Sequence, residues 1–168
     1  FACDYMDQKP DIICLSKAIT GGTMALGVTS TQKEIYNAFL SEEKIKTFFH
    51  GHSYTANPLA CVASIASLEL LLQENTRKNI SRIETQHKNF AKKLQQYASV
   101  ENIRCLGTII AFDIKTNEKT SYLNSIRDRM YHFFLNEGVI LRPLGNTVYI
   151  MPPYKKKKKE LEFIYDVI

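Results

Sequence analysis

Residues 11–31 read DIICLSKAITGGTMALGVTST. Asp11–Leu15 is a short apolar run, with Pro10 before it and Ser16–Lys17 after it, and predicts a buried strand. Thr20–Gly21–Gly22–Thr23 predicts a turn, and Ala25–Thr29 a second short strand. Ile35, Tyr36 and Phe39 then fall at helical spacing within Gln32–Leu40. Strands alternating with helices place the chain in the α/β class.

Further along, Phe48–Asn57 is a loop rich in His, Gly, Ser and Thr. Asn57–Pro58 predicts a helix start, with Asn as N-cap and Pro at the first helical position. The helix from Pro58 to about Gln73 is apolar nearly all round, which predicts burial on every side. After Asn75 the pattern changes: Ile80, Ile83, Phe90, Leu94 and Tyr97 give one face of a surface helix. Ile103–Ile114 predicts a strand or bent pair of strands interrupted by Gly107. Leu123, Ile126, Met130, Phe133 and Phe134 mark another amphipathic helix, closed by Gly138. Val139–Leu141 and Thr147–Met151 predict short strands about a Gly145–Asn146 turn, with Pro152–Pro153 ending the second. Glu160–Ile168 predicts a final helix. The organisation expected is the end of one α/β domain over residues 1–75 and a small α+β domain over residues 76–168.

The net charge is +5, but Lys155–Lys159 form one run, and without it the chain carries 17 basic and 17 acidic residues. A neutral body argues against a broad nucleic-acid surface, and such a run reads as a solvated segment. No apolar stretch approaches the ~18 residues of a membrane span, and the opening FACDYMDQKP has no secretory-leader pattern. The absence of an initial Met points to a fragment. Cys3, Cys14, Cys61 and Cys105 include no CxxC pair, and read as buried free thiols of a reducing cytoplasm rather than metal ligands. His50 and His52 lie close together without a companion ligand cluster, so no metal is expected.

Three places carry chemistry. Lys17 follows a strand; a lysine in a partly apolar pocket is a usable nucleophile toward a carbonyl, which is how pyridoxal phosphate is held in enzymes that use it. Gly51–His52–Ser53, just ahead of a helix N-terminus, offers backbone amides and a hydroxyl to a phosphate. Arg142, after a short apolar run, is suited to grip a carboxylate with two parallel hydrogen bonds. Each has a plain alternative: a surface lysine, an ordinary polar loop, a surface ion pair.

Together with their surroundings they resemble a known family. DIICLSKAITGGTMALGVTST resembles the lysine motif of the class III pyridoxal-phosphate aminotransferases. HGHSYTANPLACVASIASLELL and RPLGNTVYIMPPY resemble its phosphate loop and its substrate-arginine segment, in the same order. The resemblance runs from Phe1 to Tyr154. It implies the type I fold of pyridoxal-phosphate-dependent transferases, a mostly parallel sheet with helices on both faces plus a small C-terminal domain. Here that would be the last part of the large domain and most of the small one. It also implies that Lys17 holds the cofactor as a Schiff base and later shuttles a proton. Ser53 and the His52 backbone would bind the cofactor phosphate of a neighbouring subunit in a homodimer, Gly51 would line the substrate site, and Arg142 would hold a substrate carboxylate, with Tyr149 nearby.

Within the family, ITGGTMALG, HGHSYTANPLAC and LRPLGNTVYIMPPY are forms typical of the branch that aminates 8-amino-7-oxononanoate in biotin biosynthesis, with S-adenosylmethionine as usual donor and lysine in some members. Small-molecule substrates, a cytoplasmic location, and neither nucleic acid nor membrane are the partners and place implied. The family's pyridine-binding aspartate, stacking aromatic and glycine–serine turn are absent from this sequence, so the chain alone is expected to be inactive. The competing readings are another class III aminotransferase, of ornithine, diamine or β-amino acid type, a binding protein using the lysine run, and a purely structural domain.

Overall fold

The computed structural model describes residues 2–168 and divides into two compact units, the first ending at Leu72 and the second spanning Gln73–Ile168. In the first, strands β1 (Ile12–Leu15) and β2 (Val28–Thr31) pair antiparallel, from Ile12 opposite Thr31 to Leu15 opposite Val28. The second strand thus starts three residues later than its apolar run suggests. Residues 20–24 are tied into a hydrogen-bonded turn, and pairing begins only where the chain comes level with Leu15. Helix α1 (Lys33–Asn37) is a short turn of helix, and α2 (Pro58–Leu72) is the unit's long one. The predicted cap is present: the Leu59 N–H donates to Asn57 Oδ1 at 3.0 Å.

Helix α2 differs from expectation in its surroundings. Only Ala60 is buried, while Leu59, Val62 and Ile65 are 70%, 64% and 58% exposed. A helix apolar on every side needs cover on every side, and in this unit it chiefly meets the short 3-10 turn Lys17–Thr20. The cysteines differ likewise: Cys14 is exposed and Cys3, Cys61 and Cys105 are half-buried, all as free thiols.

The second unit has its own core. Helix α3 (Glu74–Leu94) leads into β3 (Val100–Leu106) and β4 (Ile109–Ile114), then α4 (Ile126–Asn136), β5 (Thr147–Ile150) and α5 (Lys158–Val167). The sheet is antiparallel in the order β3-β4-β5. Gly107, at φ 54°, takes the first central position of the two-residue β3–β4 turn, where a side chain would be strained. Central strand β4 is buried from Ile110 to Asp113. Ile110 and Phe112 share a face with Ile150 and Val148 opposite, and α3, α4 and α5 contribute Ile83, Phe90, Leu94, Met130, Phe134 and Leu161 to the same core. A bulge between Glu101 and Arg104 puts Asn102 at φ 50°, and its amide donates to Asp113 Oδ2 at 3.0 Å.

Val139–Leu141 forms no strand; only an isolated bridge joins Leu144 to Thr147. Its side chains still alternate, with Val139 5% and Leu141 8% exposed and Ile140 81%, so the segment is extended and packed but has no ladder partner. The lysine run enters α5. The Lys157 N–H donates to Glu160 Oε2 at 2.7 Å, half of a capping box, and Arg82 donates to the Lys156 carbonyl at 2.6 Å. Nothing in the structure explains why all five side chains there are lysine.

Candidate functional site

Lys17 is the second residue after β1 and the first of a 3-10 turn closed by Gly21 at φ 62°, whose N–H donates to the Ala18 carbonyl at 2.9 Å. Its side chain is exposed. Its backbone is left-handed at φ 55°, and among the described residues only Ala56 and Asn102 share that conformation without being glycine. The left-handed region costs an L-residue on the order of 1–2 kcal/mol. Such strain survives only where the surroundings over-determine it, and it concentrates at functional positions. Within the turn lies Thr20, which is 1% exposed. Its hydroxyl donates to the Met24 carbonyl at 2.6 Å and lies 3.5 Å from the Lys17 carbonyl, while the Thr23 hydroxyl donates to the Thr20 carbonyl at 2.8 Å. From α2, Ser67 Oγ stands 3.5 Å from the Ala18 carbonyl. A side chain at Gly21 would touch Ser67.

The Gly51–Asn57 loop is braced from within. The His52 N–H donates to Thr55 Oγ1 at 2.8 Å, the Thr55 N–H returns to the His52 carbonyl at 2.9 Å, and the Tyr54 N–H donates to His52 Nδ1 at 3.1 Å. Ala56, left-handed at φ 55°, turns the chain into the Asn57 cap. With the His52 amide engaged, the N–H and hydroxyl of Ser53 are left without a partner among the described residues, a few residues ahead of the α2 N-terminus, whose dipole favours an anion. Gly51 is exposed, its nearest neighbour being Thr55.

Lys17 and the Gly51–Ser53 loop belong to one unit and both attach to α2, the turn through Ser67 and the loop through the N-terminus; no hydrogen bond among the described residues joins them directly. Arg142 belongs to the other unit. It is exposed between buried Leu141 and Pro143, and no carboxylate pairs with it among the described residues. The turn after it is rigid. Leu144 and Thr147 exchange backbone bonds of 2.9 and 3.1 Å, and the Asn146 amide donates to the Ile114 carbonyl at 2.8 Å and to Thr120 Oγ1 at 3.0 Å. Tyr149 is half-buried on β5, opposite Ala111.

Sequence reasoning singled out the residues with reactive or charged ends and missed those that hold them. Thr20 and Thr55 left a signal, a Ser/Thr within a Gly-rich turn, but only their partners reveal what they do. An exposed primary amine on a fixed turn and free Ser53 donors ahead of a helix N-terminus fit a cofactor with one carbonyl and one phosphate.

Residues 1–168 match the family described as aminotransferase class-III. The adenosylmethionine-8-amino-7-oxononanoate aminotransferase of Synechococcus elongatus is 42% identical over 168 residues, which is all of this chain and 39% of that protein. The solved structure of the enzyme so named from Methanocaldococcus jannaschii superposes with a TM-score of 0.88 at 34% identity, over 99% of this chain and 40% of that one. An amine transaminase from an uncultivated Pseudomonas species, solved in its PLP-bound form, gives 0.81 at 27% identity, over 94% of this chain and 37% of that one. The chain therefore spans about two fifths of the length of the relatives it matches. It belongs to the class III aminotransferases.

Proposed function

We propose that the protein carrying this chain transfers an amino group to 8-amino-7-oxononanoate, giving 7,8-diaminononanoate for biotin synthesis, with S-adenosylmethionine as donor and pyridoxal phosphate as cofactor. The observation that carries the reading is Lys17: an exposed amine just after a strand end, left-handed at φ 55°, in a turn that buried Thr20 ties to Met24, within a chain 42% identical to an enzyme named for this reaction.

Pyridoxal phosphate, when bound, supplies the electron sink that makes the substrate Cα–H acidic. Lys17 would hold it through its amine and, once free, would act as the base that takes the substrate Cα proton and as the acid that returns it. Ser53 donates its N–H and hydroxyl to the phosphate. The His52 amide already serves Thr55, so the His52 backbone contributes mainly by fixing that loop. In a homodimer the loop would serve the neighbouring subunit, and the exposed apolar side of α2 would lie in the contact. Gly51 leaves room for substrate, and Arg142 holds the acceptor's carboxylate with two parallel N–H bonds. The chain on its own lacks a partner for the pyridine nitrogen and is inactive in this reading.

The test is the visible absorbance of the holoenzyme with and without Lys17→Ala, together with amination of 8-amino-7-oxononanoate against 2-oxoglutarate. The expected outcome is loss of the bound-cofactor band in the variant and amination of the oxononanoate only. A band that survives in K17A removes Lys17 from its role; amination of 2-oxoglutarate alone moves the protein to the ornithine-type branch.

A further inference from the structure

We infer that Thr20 is the positioning residue of Lys17: its hydroxyl fixes the turn that holds the lysine backbone left-handed and so aims the amine. The inference rests on the reading of Lys17 as the cofactor-anchoring amine.

In the first unit Thr20 and Ala60 are the two described residues that are buried. A hydroxyl is placed out of water where most apolar side chains of the unit are not. Burying a hydroxyl is unfavourable unless it is hydrogen-bonded, and Thr20 meets that condition in one way only, by folding the chain back on itself. Its Oγ1 donates to the Met24 carbonyl at 2.6 Å and lies 3.4 Å from the Met24 N–H, closing a five-residue loop over Gly21 and Gly22. The same oxygen lies 3.5 Å from the Lys17 carbonyl, so it stands at the point where the lysine's own peptide meets the loop. Thr23 adds bonds to the Thr20 carbonyl from its hydroxyl at 2.8 Å and its N–H at 3.3 Å. Without the hydroxyl, nothing else buried in the turn opposes relaxation of Lys17 to a right-handed or extended backbone. That change swings Cα–Cβ, and with it the amine.

The test uses the holoenzyme carrying Thr20→Val, Thr20→Ser, Thr20→Cys or Thr23→Val. Misplacing a reacting group by about 1 Å costs up to about 100-fold in rate. T20V is therefore expected to bind cofactor through Lys17, to titrate its visible band at a changed pH, and to lose about 10- to 100-fold in kcat with little change in KM. T20S should restore both, and T23V, which removes a bond of the same loop away from the Lys17 carbonyl, should leave the titration in place. A T20V enzyme with unaltered kcat and band titration overturns the inference. So do equal effects of T20V and T23V. Loss of folding in both T20V and T20C also overturns it, since the hydroxyl would then serve the fold alone. A visible band that persists in K17A would instead bring down the reading of Lys17, whatever the Thr20 variants do.

Discussion

His87 is wholly buried on α3, with Nε2 3.0 Å from the Thr108 carbonyl and Nδ1 2.7 Å from the Tyr165 hydroxyl. A carbonyl only accepts, so the proton sits on Nε2 and Tyr165 donates to Nδ1. Burial lowers the His87 pKa, against a smaller upward pull from the Thr108 carbonyl. The folded state therefore prefers the neutral ring. Its contribution is complete above the unfolded value of about 6.5 and is lost as pH falls below it toward the folded value. Asp113 acts lower on the scale. Burial pushes its pKa up, but hydrogen bonds from Thr147 and Asn102 and the charge of Arg104 outweigh that and hold it below the usual carboxylate range. Its contribution is present above about 3.9 and is lost as pH falls through its folded value. The second unit should thus lose stability to acid in two stages. Urea midpoints measured from pH 7.5 down to 3 should show the first stage abolished by His87→Gln and the second by Asp113→Asn. Tyr165→Phe, which leaves Nδ1 unpartnered, should cost about 1–3 kcal/mol at pH 7.5.

The Arg142–Thr147 element is set by close backbone approach. A Cβ on Gly145 would collide with the Ser121 carbonyl oxygen, and Gly145 sits at φ 63°. Gly145→Ala must therefore move the backbone, not a flexible side chain. Its expected cost exceeds about 1 kcal/mol, and the displaced turn carries Arg142 with it. In the holoenzyme, G145A should raise KM for the carboxylate-bearing acceptor. An unchanged acceptor KM with lowered stability would separate this turn from Arg142. The same element marks how far sequence patterns reach. The alternation Val139–Ile140–Leu141 was legible, and two of its side chains are inward and one outward. Whether another strand lies alongside is decided by residues far away in sequence, and here none pairs with it. The Asn57 cap, the amphipathic α3 and the interruption at Gly107 were legible because each is a local event; that the interruption is a hairpin turn was one of two readings left open. Lys17, Ser53 and Arg142 stand out in the sequence by the chemistry of their side chains; Thr20 and Thr55 do not, because what each does depends on which carbonyl or amide it meets.

At the scale of the whole chain, the two units differ in how they are held together. Gln73–Ile168 encloses one core cluster of twelve buried apolar residues drawn from α3, β4, α4, β5, α5 and the segment after α4. Among the described residues of the unit before it only Thr20 and Ala60 are buried, while Tyr36, Phe39, Phe49, Leu59, Val62 and Ile65 stand exposed. Hydrophobic burial is the main force opposing chain entropy, at about 25 cal/mol per Å² against about 1–2 kcal/mol per ordered residue. The second unit can meet that cost from its own contacts and the first cannot. The polypeptide 73–168 should therefore melt cooperatively, with slow amide exchange at Ile110 and Phe112. The polypeptide 1–72 should show little protection and should self-associate through α2. Protection in α2 should appear only when apolar surface from elsewhere covers it, so exchange measured in the holoenzyme should be slow at Val62 and Ile65. Slow exchange at those positions in 1–72 as a monomer would mean that the unit is held by something other than burial, and fast exchange there in the holoenzyme would leave α2 outside any interface.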